Sequence, residues 1–157
     1  MYNGRTRQVA HAPIRGADVL VDHNHEVRIA MGIDPTDNNK YKIYHRAKKG
    51  DDWALLNRFG SLEGSLIPLS FTKNPDEIYL LGNIDSDTSS LYRYNLKTKA
   101  SELVFNHKTV DVTSTYFDFD GNPIVLELDP GKTELEFIDN QHIVTRWLFS
   151  LKAHFPN

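Results

Sequence analysis

The stretch from Leu66 to Asn106, LIPLSFTKNPDEIYLLGNIDSDTSSLYRYNLKTKASELVFN, narrows the fold more than any other part of the chain. It reads as four short antiparallel strands in a row, Leu66 to Phe71, Glu77 to Gly82, Ser90 to Asn95 and Ser101 to Phe105. Turn formers separate them at Thr72 to Asp76, Asn83 to Ser89 and Leu96 to Ala100. A unit of this kind is one blade of a β-propeller, and the rest of the chain reads as imperfect copies of it.

Upstream, Met1 to Gly16 is polar and shows no period, which predicts an irregular leader over residues 1–16 with order beginning near Ala17. Asp18 to Asp22 is then a strand, His23-Asn-His25 a turn, and Glu26 to Ile33 a second strand. In that strand Val27, Ile29, Met31 and Ile33 share one face while the other carries the small Ala30 and Gly32. Close approach of a neighbouring sheet would explain the small face. Asp34 to Asn39 is dense in turn formers, and Lys40 to Arg46 and Asp52 to Phe59 are a third and fourth strand around the tip Lys48-Lys-Gly-Asp51. Gly60 to Ser65 links this unit to the next.

Downstream, His107 to Val112 links onward, and a third copy runs through Thr113 to Phe119, a turn at Asp120-Gly121, Pro123 to Asp129, and Thr133 to Ile138 after Pro130-Gly131. A fourth strand is replaced by a helix that Asp139 or Asn140 can cap. In it Ile143, Val144, Trp147, Leu148 and Leu151 form one apolar stripe, with Trp147 as its anchor on the sheets, before Pro156 ends it. The copies match in register: Val27-Arg-Ile-Ala-Met31 with Ile78 to Gly82 and Ile124 to Leu128, and Lys42 to His45 with Ser90 to Arg93 and Glu134 to Phe137. Spacings of roughly 45 to 50 residues are those of four-stranded blades.

The expected fold is therefore all-β: a partial β-propeller over residues 17–157, with two full four-stranded antiparallel blades (17–59 and 66–106), an incomplete third (113–138) and a C-terminal helix at 140–154. A propeller closes at four to eight blades, so such an array leaves open faces and edges. Further blades, or a second copy of the chain, would have to cover them.

Composition removes several classes of function. The chain of 157 residues has a formal charge of -3, and its one compact basic group, Arg46-Ala-Lys-Lys49, is offset by Asp51-Asp52 and reads as a solvated hairpin tip. This argues against nucleic acid as a partner. Cysteine is absent, which excludes disulfides, thiolate zinc sites and cysteine nucleophiles. Met1 to Gln8 lacks the apolar run of a signal peptide and no window approaches a membrane span. The default compartment is cytoplasmic, or periplasmic if a signal peptide lies upstream of a longer chain.

No catalytic, cofactor or metal residues are assigned. A serine hydrolase needs Gly-x-Ser-x-Gly on a strand-to-helix turn, whereas Gly60-Ser-Leu-Glu-Gly64 places its serine one position early and between strands; Ser65 and Ser70 have no better context. Asp22-His-Asn-His25 carries metal-ligand types but sits at a hairpin tip and reads as a solvated turn. Asp118-Phe-Asp-Gly-Asn122 echoes the start of a calcium loop, yet Asp129 stands where the bidentate glutamate belongs, so a hairpin is expected. Asp85-Ser-Asp87 reads as an exposed loop. Tyr92 with Tyr94, and Phe117 with Phe119, alternate on strands and read as core or inter-blade packing.

Gly16-Ala-Asp-Val-Leu-Val-Asp22 leading into Val27 to Gly32, the strand Leu91-Tyr-Arg-Tyr-Asn95 with its Leu96-Lys-Thr-Lys99 turn, and the late helix from Gln141 to Pro156 resemble the propeller of the prolyl oligopeptidase family. Similarity is greatest to its bacterial dipeptidyl and acylaminoacyl peptidase-like members, and it spans nearly the whole chain from Ala17. The resemblance implies a serine peptidase whose catalytic Ser, Asp and His lie in a separate α/β-hydrolase domain, with the propeller limiting access to short peptides. None of the three falls in this chain, which is similar only to the early part of the propeller. Lys99 stands where such turns usually carry glycine. Two other readings use the same strands: a free-standing β-sheet interaction or assembly module, and a carbohydrate-binding β-sandwich with stacked aromatics on an exposed face.

Overall fold

A computed structural model describes Gly4 and residues 10–60, 66–84 and 86–154. Three antiparallel sheets follow one another and a single helix ends the chain. The first sheet is a meander of β1 (Asp18–Val21), β2 (Val27–Asp34), β3 (Asp37–His45) and β4 (Ala54–Gly60). The second repeats that order with β5 (Leu66–Phe71), β6 (Glu77–Gly82), β7 (Ser90–Asn95) and β8 (Ser101–Phe105). The third has three strands, β9 (Val112–Phe117), β10 (Pro123–Leu128) and β11 (Glu134–Phe137), with β10 central, and α1 (Ile143–His154) follows. The chain divides into two compact units, Met1–Glu63 with the first sheet and Gly64–Asn157 with the other two and the helix.

The matched segments occupy equivalent places, on β2, β6 and β10 and on β3, β7 and β11. Strand bounds agree best in the second sheet, where turn chemistry is densest. Asn74 closes the β5–β6 turn by accepting the Asp76 N–H, and Asn95 Oδ1 accepts from Lys97 and Thr98 in the β7–β8 turn. There Lys99 adopts φ 64° and donates its N–H to the Asn95 carbonyl, a left-handed residue without glycine's freedom.

In the second unit the core lies between two sheets. Tyr79, Leu81 and Leu91 of the second pack against Val112, Leu126 and Leu128 of the third, with Phe117 against Tyr79 at 5.5 Å between ring centroids. The equivalent hairpin tips meet as well, Lys73 Nζ lying 2.9 Å from Asp120 Oδ2. On the opposite face of the third sheet Val125 and Phe137 are register partners, and Phe137 meets Phe149 of α1 at 4.5 Å. Sheet and helix thus sandwich β10, five of whose six residues are buried.

The first sheet departs from expectation in three ways. Its third strand starts at Asp37, because the turn shrinks to Pro35 and Thr36 once the Asp34 carboxylate takes both the N–H and the hydroxyl of Thr36. Contact with the sheet begins before Ala17: residues 10–16 form no strand or helix, yet Ile14 is buried and the His11 carbonyl accepts from Trp53 Nε1 at 2.8 Å. Those same residues account for the small face of β2. A Cβ on Gly32 would lie 3.6 Å from both Ala17 Cα and Ile14 Cγ2, so the close approach at Gly32 is made by the chain's own N-terminal segment.

The helix is turned relative to its apolar stripe. Asp139 Oδ1 accepts from the N–H groups of Gln141 and His142, and regular helix begins at Ile143. Thr145 faces inward and is wholly buried, Leu148 of the stripe is half-buried, and Phe149 lies against Phe137 while staying 45% exposed. Ile143, Val144, Trp147 and Leu151 are exposed, Trp147 by 66%, so it does not anchor the helix.

Candidate functional site

The groups with chemical potential fall into two buried polar clusters in the first unit, one hydroxyl cluster in the second, and an exposed surface around the third sheet.

Asp22 sits at the end of β1, where the turn to β2 folds its carboxylate inward. Oδ1 accepts the N–H groups of Asn24 and Glu26 at 2.9 and 3.0 Å, and Oδ2 takes Arg28 Nη1 at 2.9 Å. Arg28 Nε donates to the Arg46 carbonyl, Arg46 Nε donates to the Val27 carbonyl, and the Arg46 guanidinium lies 4.6 Å over the Trp53 ring. The solvated turn and solvated basic tip are therefore corrected: His23, His25, Lys48 and Lys49 are exposed, but Asp22 and Arg46 are buried. Held by two backbone donors and a guanidinium, the Asp22 carboxylate staples the turn to β2. Among the described residues no group of three or more His, Asp or Glu stands close enough to hold a metal ion.

Asp34, fully buried, pairs with Lys42 Nζ at 3.0 Å and Arg58 Nε at 2.7 Å, in addition to its two bonds from Thr36. Burial works against its ionisation, but the Thr36, Lys42 and Arg58 donors outweigh that and hold its carboxyl well below the usual carboxylate range. Neither cluster was singled out from sequence. The one available signal was a charge flanking the small face of β2, Arg28 and Asp34 on either side of Ala30 and Gly32.

In the second unit Asn106 Nδ2 reaches Ser86 Oγ, Thr88 Oγ1 and Ser90 Oγ at 2.9, 3.1 and 2.7 Å. Proton directions are set by their other bonds: the Thr88 hydroxyl donates to the His107 carbonyl at 2.6 Å and Ser90 donates to the Thr88 carbonyl. Both therefore offer the amide only lone pairs. With Ser89 N–H on Asp111 Oδ1 and Val112 N–H on the Ser89 carbonyl, the cluster ties the link at 106–112 to β7 and aims β9 into the third sheet. Asp85 and Ser61 to Ser65 lie outside the described residues, so the Gly60-to-Gly64 and Asp85 readings are not located; Asp87 is exposed. Ser70 is half-buried on β5 and its hydroxyl donates to the Phe71 carbonyl.

Asp118 builds the β9–β10 hairpin from within. Oδ1 accepts from the N–H groups of Asp120 and Asn122 and Oδ2 from Asn122 Nδ2. Partial burial raises its pKa, but these donors and the nearby His142 overcome that and leave it lowered. Asp129 Oδ1 likewise accepts the Gly131 N–H in the next turn. The paired aromatics divide. Tyr92 is buried, Tyr94 is half-buried with burial pushing its phenol up, and Phe117 packs on Tyr79. Phe119, at the hairpin tip, is fully exposed, against the expectation of packing.

One stacked aromatic pair escaped sequence reading: Tyr41 and Phe59, register partners on β3 and β4, lie parallel within 13° at 5.8 Å, and Ile33 stands opposite Tyr41 on β2. Exposed apolar side chains occur on all three sheets, Leu55 on the first, Leu103 on the second and Tyr116 on the third among them, and the second unit adds Phe119 at a hairpin tip and the outward side of α1. Among the described residues no helix is long and apolar enough to cross a membrane. No protein-family model, curated protein or solved structure matches the chain.

Proposed function

We propose that this chain is a non-catalytic part of a β-propeller from a prolyl oligopeptidase-like serine peptidase, serving as scaffold and access gate for a separate α/β-hydrolase domain. Repetition carries the reading. Two four-stranded meanders and a three-stranded sheet succeed one another with their central strands in equivalent positions, and the second and third sheets pack face to face with their first hairpin tips joined by Lys73 and Asp120. Blades stack in this way, at the separation of about 10 Å usual for facing sheets. The polar clusters support a scaffold, because their donors and acceptors are spent on one another and on the backbone.

Distance measurement tests the arrangement. The chain has no cysteine, so Asn24→Cys, Lys73→Cys and Asp120→Cys can carry spin labels at the three equivalent hairpins. The pair at positions 24 and 73 is expected to give the same distance distribution as the pair at 73 and 120. A separation longer by more than about 10 Å, one sheet spacing, would overturn the propeller. The purified chain is expected not to cleave aminoacyl or prolyl chromogenic peptides. Turnover that survives removal of contaminating proteases would overturn its non-catalytic role.

A second reading, a free-standing assembly module, is favoured by the outward apolar side of α1. It predicts a dimer or larger species by light scattering that Trp147→Ser returns to monomer. A monomer at every concentration counts against it.

A further inference from the structure

We propose that the free edge of β11 is a docking site for an extended basic peptide, one in which Arg or Lys alternates with apolar residues and lies opposite Glu134 and Glu136. The place of β11 in its sheet is the first argument. It is a third strand, like β3 and β7, but those two pair on both flanks whereas β11, among the described residues, pairs only with β10. A fourth-strand position thus stands open beside it.

The register says which backbone groups face that position. Ile138 donates its N–H to the Ile124 carbonyl at 2.9 Å, which fixes Glu136 with Leu126 and Glu134 with Leu128 as the hydrogen-bonded pairs of the antiparallel ladder. The N–H and C=O groups of Leu135 and Phe137 point the other way, toward the open flank. All four residues of β11 keep solvent contact, Leu135 by 40%.

Charge then selects the occupant. Glu134 and Glu136 are two apart, so both carboxylates lie on one face of the strand with Leu135 on the other. Between Asp129 and Asp139 the only cation is Lys132. A second copy of β11 added antiparallel would bring two glutamate rows together, which is unfavourable, so self-pairing is discouraged. A basic alternating strand gains both the backbone bonds and the cross-strand charge pairs. The proposal does not rest on the peptidase reading; it needs only the three-stranded third sheet.

The probe is a fluorescein-labelled octapeptide alternating arginine and valine, titrated with the full chain by fluorescence anisotropy. Two controls accompany it: a glutamate–valine peptide, and the arginine–valine peptide N-methylated on its valines, which keeps its charge and loses the backbone donors that face β11. Saturable binding of the first, tighter than either control by about tenfold or more, is expected. Glu134→Lys with Glu136→Lys should reverse the preference toward the glutamate–valine peptide. Leu135→Pro removes an N–H that points outward, a substitution edge strands accept, so far-UV circular dichroism should be unchanged while binding weakens by about tenfold. The proposal is overturned if the arginine–valine peptide does not bind, if its N-methylated form binds equally well, or if the doubly substituted chain keeps the original preference. Should Leu135→Pro fail to fold, the charge reversal still decides.

Discussion

The first and second sheets share one strand order yet bury different things. The second places Tyr79, Leu81 and Leu91 against the apolar side of the third sheet. The first buries Ile29 and Ile43 but adds charge: Asp22 with Arg28 and Arg46, and the Asp34 carboxylate beneath the partly exposed Lys42 and Arg58, on and around the side of β2 that carries Ala30 and Gly32. A meander can therefore be specified by apolar volume or by charges that satisfy one another in one geometry. The two devices should fail differently: volume loss costs in proportion to the cavity, while a broken buried pair leaves an uncompensated charge.

The largest effect is expected in the first sheet. Arg28→Met strands the Asp22 carboxylate in a site where both partners are almost wholly enclosed, and should destabilise by about 3 to 5 kcal/mol. The two tryptophans separate the units, Trp53 in the first and Trp147 in the second, so urea unfolding followed by Trp53 fluorescence in a Trp147→Phe background reads the first unit. A loss below about 1 kcal/mol would place this pair with ordinary surface ion pairs and remove the contrast between the sheets.

Next is the counterpart in the second unit. Leu126 is fully buried between the second and third sheets, and Leu126→Ala should cost about 2 to 5 kcal/mol, read by Trp147 in a Trp53→Phe background. Its size should not change with salt, because no charge is exposed. A salt-dependent loss would mean that the contact between these sheets rests on Lys73 and Asp120 more than on the apolar core.

Acid should separate the sheets further. The Asp34 carboxyl is held below the ordinary aspartate value of about 4, so the unfolded chain takes up its proton first. The stability this group supplies is fully present above that value and is lost as pH falls below it toward the folded-state pKa. The urea midpoint reported by Trp53 should hold from about pH 7 to about pH 5 and then drop, and Asp34→Asn should flatten the drop. An acid limb unchanged by Asp34→Asn would assign it to other carboxylates.

These differences also mark what could be read before any coordinates. The second sheet was legible strand by strand, since Asn74-Pro-Asp76 and Asn95 to Thr98 are turns whose side chains close on their own backbone within four residues. The first was legible only in outline. Asp34 looks like one more turn former in the run to Asn39; its bonds from Thr36 close the turn at Pro35-Thr36, and its pairing with Arg58, far along the chain, is the part that local sequence does not show. Helical periodicity located α1 but not its orientation: Phe149 meets Phe137 across a turn, Thr145 is buried and Trp147 is exposed. Local chemistry was visible, and long-range polar pairing was not. The same limit hid Tyr41 and Phe59, which are adjacent only through the β3–β4 register.

The smallest effect compares equivalent turns. The β3–β4 connection passes through Gly50 at φ 94°, and the β7–β8 connection through Lys99 at φ 64°. Left-handed backbone costs a residue with a Cβ about 1 kcal/mol or more, partly offset because such a residue has less freedom to lose on folding than glycine. Lys99→Gly should therefore stabilise the second unit by about 0.5 kcal/mol. Gly50→Ala should destabilise the first by a similar or slightly larger amount, and since nothing lies within 4 Å of a Cβ at that position the whole effect is backbone conformation. Lys99→Gly that destabilises instead would mean that the lysine turn is held by more than its conformation, and Gly50 and Lys99 would then not be two solutions to the same bend.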